Sequence, residues 1–463
     1  MQKAIAKGKC YSFLLLERDR VMVVQNNEKS MPETMKNRLG QAITDAIAMH
    51  IDETIGEQYF SRNRKLTKEI IIKCLIAMQG GSINKELYDM GIDATASAFV
   101  QRRKQISSID MENVFEIFNS YCQDKETYKG YRILAVDGTT INMSRNPKAP
   151  SFVKNDGKGY NQFHVTPLYD VLNKTYQHCV IQPQPQQDEI GALRFMLTWF
   201  YSGKEFKKIL IVADRGFESY NMVSHFLNER IDFLIRVKQD RSAMREIRKL
   251  PMMELDTKIN FFVTTTQTKT DKENGYVFIQ TQKNKNRIYS SKTKNSRWDF
   301  PSPYPLSFRV VRFMLDTGEY ETLITSLPSI FTITDLKELY HARWGIETSF
   351  RELKYGIGLT NLHGKCDEFV KQEIFASMII SNFCNRIARE VIIEQNKKNS
   401  YIYKVNQTMA IHLCRKFYRE ENMSGKKLMQ DIKKYTEPVR PDRKDERNIK
   451  AKSFVGFTYR VSA

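Results

Sequence analysis

The sequence is poor in the residues that build metal clusters and disulfide frameworks. Of its 463 residues, 7 are cysteine and 7 are histidine. The cysteines stand singly, with no Cys-x-x-Cys pair, and no Cys/His group has the spacing typical of a zinc site. This pattern argues against a disulfide-rich secreted domain and against a zinc protein. It predicts reduced, mostly buried thiols in a reducing compartment.

Long apolar segments are also missing. No run approaches the roughly 18–20 residues that a membrane-spanning helix needs, and the apolar residues 13–16 are followed at once by the charged residues 17–20. Such a start is too short and too charged for a signal peptide. We therefore expect a cytoplasmic protein that has no membrane partner.

Acidic residues are in deficit. The chain has 53 Asp and Glu against 73 Lys and Arg, which gives a formal net charge of +20. A charge of this size favours a polyanionic partner, with nucleic acid as the first choice and an anionic membrane surface as the alternative. The apolar fraction of 41% and the charged fraction of 27% are those of a folded globular protein, so a largely disordered chain is not expected.

Changes in the periodicity of the apolar residues divide the chain into segments. Residues 1–35 are left unassigned. Residues 36–128 have helical spacing, and three short helices predicted over 66–79, 82–90 and 95–105 are compatible with a helix-turn-helix. A plain helical bundle with a solvated charged face is equally open. The third helix carries Arg102 and Arg103, which we expect to contact DNA if this region is a DNA-binding domain.

The apolar pattern of the remaining residues changes between three segments. Residues 129–239 alternate short β-rich runs with helical stretches, which predicts an α/β layout with a mixed sheet. Residues 240–326 have alternating runs and almost no helical period, and we interpret them as a β-rich insertion. Helical spacing resumes over 327–365 and continues over 366–463, a region that ends in a basic tail.

Two apolar strands of the α/β segment end in aspartate. Residues 133–136 lead into Asp137, and residues 209–213 lead into Asp214. Because ligands bind at the carboxyl ends of the strands in α/β sheets, we expect the two carboxylates to meet at one site. Mg²⁺ prefers such oxygen ligands together with substrate phosphate. The alternative is that both aspartates belong to ordinary turns, where Asp and Gly are common.

A third carboxylate lies in a helix predicted over 334–354, with Asp335 and Glu338 placed as its capping box. At about 3.6 residues per turn, four side chains of different chemistry fall within an arc of roughly 60°. They are Tyr340, Arg343, Glu347 and Lys354. A plain salt bridge between Arg343 and Glu347 would explain two of these residues, but it would not explain the phenol or the ammonium group.

The order and spacing of these four residues resemble the Tyr-Arg-Glu-Lys signature of DDE-class insertion-sequence transposases. The intervening runs of two, three and six residues match that signature without a gap. The resemblance covers about residues 130–365. It implies an α/β fold in which an RNase H-like mixed-sheet core, formed by residues 129–239 and 327–365, is interrupted by the β-rich insertion. N-terminal and C-terminal helical regions would flank that core.

The resemblance also implies roles for the site residues. Asp137, Asp214 and Glu347 would be the catalytic residues and the ligands of two Mg²⁺ ions, with Mn²⁺ as a substitute. Tyr340, Arg343 and Lys354 would grip phosphates near the cleaved transposon end. The implied partners are double-stranded DNA, chromosomal or plasmid, and a second copy of the chain as a homodimer on that DNA. No small-molecule substrate is expected.

The implied function is that of a DNA transposase. Such an enzyme binds the inverted repeats of its own insertion sequence, cleaves the ends by metal-dependent phosphodiester hydrolysis and joins the 3′-hydroxyl ends to target DNA. Two alternatives stay open. A metal-dependent endonuclease without strand transfer would use residues 352–354 as a Glu-x-Lys motif, and a transposase-derived protein would bind DNA without cleaving it.

Overall fold

The computed structural model describes residues 31–49, 65–201, 208–239, 242–281, 297–395 and 401–440. Most of the unassigned N-terminal segment, residues 282–296 of the insertion and the basic tail after residue 440 lie outside the described residues. Within those ranges, no helix has both the length and the apolar character needed to cross a membrane. The described cysteines are free thiols, and all of them are buried except Cys366.

Within the described residues, five helices precede the first strand, and side-chain caps mark where four of them begin, including the capping box of Ser107 and Asp110 before the fifth. Thr67, Ser82 and Thr95 each accept a hydrogen bond from a backbone amide three residues later in the chain. The three helices predicted over 66–79, 82–90 and 95–105 are thereby confirmed. The five are α1 (Met31–Met49), α2 (Lys68–Ala77), α3 (Ile83–Asp89), α4 (Ala96–Arg103) and α5 (Ser108–Tyr121).

An eleven-stranded mixed sheet forms the centre of the described chain. Its first seven strands are β1 (Tyr131–Val136), β2 (Thr139–Met143), β3 (Phe152–Val153), β4 (Tyr160–Asp170), β5 (Thr175–Pro183), β6 (Lys208–Ala213) and β7 (Asp232–Arg236). β1 runs antiparallel to β4 and parallel to β6, while β4 is antiparallel to β5 and β6 is parallel to β7. The resulting order, β5-β4-β1-β6-β7, is that of an RNase H-like core, so the expected fold class is confirmed.

The residues predicted as a β-rich insertion do form strands, and these strands continue the same sheet. They are β8 (Leu255–Thr264), β9 (Val277–Phe278), β10 (Tyr304–Met314) and β11 (Tyr320–Thr325). β11 pairs antiparallel with β7, and β10 lies between β11 and β8. The insertion therefore extends the core sheet by backbone hydrogen bonds. The short helices α8 (Arg245–Arg248) and α9 (Lys269–Glu273) also lie in it.

Helices cover both faces of the sheet. α6 (Glu189–Tyr201) and α7 (Tyr220–Asn228) follow β5 and β6. After β11 come α10 (Ile333–Ala342), α11 (Trp344–Arg351), a π-helical turn (Glu352–Gly356), α12 (Asp367–Arg389), α13 (Gln407–Arg419) and α14 (Gly425–Lys434). The strands β12 (Ile402–Val405) and β13 (Thr436–Val439) form a separate antiparallel pair.

The two faces of β1 are buried in different cores. Ile133 and Ala135 lie in one hydrophobic core with residues of α1–α5 and α10–α14, whereas Leu134 and Val136 lie in the other with residues of α6–α8. Successive side chains of a strand point to opposite faces of the sheet, so burial on both faces explains the continuous apolar run of this strand. The N-terminal helices share their core with the C-terminal helices and with the sheet.

Buried ion pairs join α12 to the N-terminal part of the chain. Arg386 Nη2 lies 3.0 Å from Asp124 Oδ2. Although burial alone would raise the pKa of Asp124, the Arg386 guanidinium lowers it below its usual value. α12 is therefore held to the segment between α5 and β1 by charge as well as by apolar packing.

The helix predicted over 334–354 is interrupted at Arg343. Its capping box is formed by Thr332 and Asp335, so the predicted box at Asp335 and Glu338 is wrong. The Arg343 amide donates to the carbonyl of Tyr340, three residues back, which tightens the chain between α10 and α11. The π-helical turn then widens it after α11. The four signature residues therefore do not share one uninterrupted α-helix, which is the geometry that the predicted arc of roughly 60° assumed.

Candidate active site

Two aspartates lie next to each other at one edge of the sheet. In the parallel pair of β1 and β6, Val136 is aligned with Ala213, so the next residues, Asp137 and Asp214, follow two paired strand ends. Neighbouring strands are about 4.8 Å apart. After Asp214 the chain enters a 3₁₀ turn, in which the Asp214 carbonyl accepts a hydrogen bond from the Phe217 amide at 3.0 Å.

The Asp137 carboxylate is held on both of its oxygens. Oδ1 accepts a hydrogen bond from the Gly138 amide at 2.8 Å, and Oδ2 lies 3.3 Å from Arg343 Nη1. Burial raises the pKa of Asp137 to about 6. The Gly138 amide and Arg343 oppose that rise, and the negative charges of Glu347 and Glu189 add to it. The group is therefore a carboxylate at neutral pH, although a weaker acid than a free aspartate.

Arg343 bridges two of the predicted catalytic carboxylates. Besides its contact with Asp137, it donates through Nη2 to Glu347 Oε1 at 2.9 Å. Only 5% of Arg343 is exposed, and its guanidinium lies over the rings of Tyr340 and Trp344, 5.7 and 5.4 Å from their centroids. Its buried Nε has no hydrogen-bond partner within the described residues. Arg343 is the single residue between α10 and α11, and this position directs its side chain toward the two carboxylates.

Tyr340 and Lys354 lie on either side of this bridge along the chain. Tyr340 is buried, and burial raises its pKa above the usual value, with a further contribution from the charge of Asp214. Lys354 is half-buried in the π-helical turn, and its carbonyl accepts a hydrogen bond from the Thr360 hydroxyl at 3.1 Å. The structure thus brings Tyr340 under the Arg343 guanidinium, and it places Lys354 beyond α11.

The oxygen chemistry of the site suits a hard divalent cation, but the oxygens are not gathered around one point. In the described part of the chain, no group of three or more His, Cys, Asp or Glu side chains has the geometry to hold a metal ion. Arg343 lies between Asp137 and Glu347 and forms an ion pair with each. The donors fit Mg²⁺ or Mn²⁺ by type, provided that the guanidinium moves away.

Two residues beside Asp137 were not predicted as site residues. His164 of β4 and Glu189 at the start of α6 form a pair, with His164 Nε2 2.8 Å from Glu189 Oε1. They meet only through the packing of β4 and α6 around residue 138, so no sequence spacing links them. The Gly that follows Asp137 was the one available signal, and it reads equally well as an ordinary turn.

Arg102 and Arg103 point into the protein. Both are buried. Arg102 donates to Gln105 Oε1 at 2.6 Å, and Arg103 lies 2.8 Å from Glu373 Oε1 of α12. Arg103 joins α4 to α12, and Arg102 is held by Gln105 and the Leu66 carbonyl, so the prediction that they contact DNA phosphate is at odds with their burial.

Comparison with known proteins identifies a matching family and similar solved structures. A family model described as "Transposase DDE domain" matches residues 128–383. The cryo-EM structure of the piggyBac transposase synaptic complex with hairpin DNA is similar to this chain at 11% sequence identity with a TM-score of 0.45, and the match covers 92% of this chain and 89% of that chain. No curated protein matches this chain. The family match includes β1 and β6, which Asp137 and Asp214 directly follow, and α11, which carries Glu347.

Proposed function

The chain belongs to the transposase DDE domain family, and from this membership we propose that it moves an insertion sequence of its own. In this proposal it binds the inverted repeats of that element, cleaves the ends by metal-dependent phosphodiester hydrolysis and joins the 3′-hydroxyl ends to target DNA. The family membership supports the class of enzyme. The DNA substrate, the cleavage and the joining belong to the proposal.

One observation carries the proposal. The parallel pairing of β1 with β6 places Asp137 and Asp214 side by side, and α11 brings Glu347 to Arg343, which also contacts Asp137. Three carboxylates from three elements thus approach one edge of the sheet. Cleavage of a phosphodiester by a metal-dependent enzyme needs oxygen ligands of this kind and no side-chain nucleophile.

Asp137, Asp214 and Glu347 would hold two Mg²⁺ or Mn²⁺ ions. When bound, such ions activate a water or a 3′-hydroxyl and stabilise the leaving oxygen. The protein contributes the positions of the ligands. The Gly138 amide fixes one oxygen of Asp137, and the strand end fixes the backbone of Asp214. Because burial raises the pKa of Asp137 only to about 6, this ligand is ionised at neutral pH.

Tyr340, Arg343 and Lys354 would bind the DNA phosphates next to the reacting bond. A guanidinium can donate two parallel hydrogen bonds to a phosphate, and an ammonium group acts as a point charge. In this role Arg343 would exchange its carboxylate partners for phosphate oxygens. The exchange would release Asp137 and Glu347 for the cation. The net charge of +20 favours the encounter with DNA.

Two copies of the chain would act together on the DNA. An element moves only if both of its ends are cut and joined in a coordinated way, so we propose a homodimer that holds the two ends. Size-exclusion chromatography with light scattering, with and without a duplex of the element's end, measures this directly. A protein that stays monomeric on paired ends would contradict this part of the proposal.

The decisive experiment uses purified full-length protein, a DNA fragment that carries the flanks of this gene, a target plasmid and Mg²⁺. The products are mapped by sequencing. We expect discrete cuts at inverted ends that become joined to the target, and we expect both steps to be lost in Asp137→Asn, which keeps the size of the side chain but not its charge. Glu273→Gln is the matched control, because Glu273 is exposed in the insertion and also loses one negative charge.

The same products separate the alternatives. Cuts that never become joined would indicate an endonuclease. Binding that survives EDTA, with no cuts in Mg²⁺ or Mn²⁺, would indicate a DNA-binding protein without catalysis. Joining that persists at the wild-type level in Asp137→Asn would show that the site described above is not the catalytic one.

A further inference from the structure

The backbone of Gly138 is covered by His164 and Glu189. Neither residue belongs to the Tyr-Arg-Glu-Lys signature, and neither follows β1 or β6. His164 lies in β4, where its neighbour across the sheet is Thr140 of β2. Glu189 is the first residue of α6. Both side chains reach the bend between β1 and β2, which is the bend that carries Asp137.

Position 138 has no room for a side chain. A Cβ atom there would collide with Glu189 Oε1 and with His164 Nε2. The glycine is therefore required by the close approach of these two groups. Its amide donates to Asp137 Oδ1 at 2.8 Å, so the pair packs against the same peptide that holds the Asp137 carboxylate.

The pair is anchored by hydrogen bonds and burial. His164 is 4% exposed, and its Nε2 lies 2.8 Å from Glu189 Oε1. Gln187 donates to the same oxygen at 3.2 Å. The hydrogen bond from His164 is the main reason why the pKa of Glu189 lies below its usual value. Glu189 is therefore a carboxylate that is held by His164 Nε2.

The Glu189 carboxylate lies close to Asp137 in the fold. Its Oε1 covers the position of residue 138, which directly follows Asp137. About 31% of the Glu189 side chain is exposed, so the carboxylate is not sealed inside the protein. The candidate site thus has a fourth negative charge, which enters from α6 and is independent of the signature helix.

We propose that His164 and Glu189 are positioning residues for Asp137: they hold the Asp137–Gly138 bend in place, and Glu189 adds negative charge where a divalent cation would bind. This inference rests on the proposed function, because it takes Asp137 as a ligand of that cation. Removal of residues that orient a metal ligand without binding the metal themselves typically weakens metal affinity by about 10–100-fold.

The test separates charge from packing at Glu189. Glu189→Gln keeps an oxygen that accepts from His164 and loses the charge, whereas Glu189→Ala loses both. Mn²⁺ is titrated into the full-length protein, and free Mn²⁺ is measured by electron paramagnetic resonance. We expect roughly tenfold weaker Mn²⁺ binding for Glu189→Gln and a larger loss for Glu189→Ala. Glu273→Gln, which also removes an exposed carboxylate, should bind as the wild type does.

A second readout uses the cleavage reaction. Glu189→Gln should raise the Mg²⁺ concentration that gives half-maximal cleavage by about tenfold while the maximal rate stays within about threefold of the wild type. His164→Asn should have a similar effect, and the double variant should be little worse than either single variant, because the two residues act as one unit. Melting temperatures show whether each variant is folded.

The outcomes are distinct. Wild-type Mn²⁺ affinity and wild-type Mg²⁺ dependence in folded Glu189→Gln would overturn the inference and leave the proposed function intact. Strictly additive effects of the two substitutions would overturn the claim that they act as a pair. Failure of the proposed function itself would appear instead in Asp137→Asn, as unchanged Mn²⁺ binding together with unchanged cleavage.

Discussion

Replacing Arg343 with methionine should make the DNA-free protein bind divalent cations more tightly. The guanidinium contacts Asp137 at 3.3 Å and Glu347 at 2.9 Å, and a cation cannot use these oxygens until the contacts break. A hydrogen bond to a charged group contributes about 1.5–3 kcal/mol. One contact is long and the Glu347 side chain is 38% exposed, so the lower value applies to each, which gives about 3 kcal/mol in total.

This energy corresponds to about 100-fold in affinity, at about 1.4 kcal/mol for each factor of ten. The assay is a Mn²⁺ titration of DNA-free Arg343→Met followed by electron paramagnetic resonance. The matched control is Arg351→Met, because Arg351 is exposed at the end of the same helix and loses the same charge. A further check is thermal: Mn²⁺ should raise the melting temperature of Arg343→Met more than that of the wild type.

Equal Mn²⁺ affinity in Arg343→Met and Arg351→Met would refute the reasoning, because the loss of positive charge alone would then account for the whole change. Addition of an end duplex to the wild-type protein should have the same effect as the substitution, since phosphate would take over the guanidinium. A wild type whose Mn²⁺ affinity does not respond to the duplex would contradict the exchange of partners.

Two further predictions concern stability. Arg103→Met should lower the free energy of unfolding by about 3–5 kcal/mol, because it removes the guanidinium that is paired with the buried carboxylate of Glu373; a loss below about 1 kcal/mol in urea unfolding would contradict this. Burial lowers the pKa of His178 to about 4 and raises that of the adjacent Glu116 to about 7. Between about pH 4.5 and 6.5 the folded state therefore binds one proton fewer at His178 and one proton more at Glu116 than the unfolded state does. Their contributions to the pH dependence of stability cancel. In Glu116→Gln only the histidine effect remains, and stability should fall as the pH drops from about 6.5 to 4, at up to about 1.4 kcal/mol per pH unit. A stability profile that stays flat over this range would show that His178 is not held neutral.

The parts of the fold that could be predicted are those with a local signal. β1 and β6 are buried on both faces, so each appears in the sequence as a continuous apolar run, and the aspartate after each run marks its end. The caps Thr67, Ser82 and Thr95 likewise mark helix starts within a few residues. From such signals the order of elements and the adjacency of Asp137 and Asp214 could be inferred.

The parts that could not be predicted depend on contacts between distant segments. Arg103 is a positively charged residue on a predicted helix, as in many DNA-binding proteins. Only the packing of α4 on α12 shows that it is paired with Glu373. His164 and Glu189 come together through the sheet and α6, with no shared motif. The interruption of the helix at Arg343 was also missed, because residues 334–354 have an uninterrupted helical pattern in sequence. The contacts of Arg343 with Asp137 and Glu347 are visible only in the structure.

Because the sheet is continuous from β6 to β9, it fixes the distance between the far strand of the insertion and the candidate site. Five strand-to-strand steps, through β7, β11, β10 and β8, separate β6 from β9. At about 4.8 Å per step the far edge lies roughly 24 Å from the strand that ends at Asp214, measured along the sheet. That length is about seven base pairs of duplex DNA at about 3.4 Å each. Because neighbouring strands also rotate by about 20–25°, the far edge is turned by roughly 100° or more. A ligand held at β9 is therefore kept at a set distance and angle from the strand ends that precede Asp137 and Asp214 by backbone hydrogen bonds rather than by a hinge.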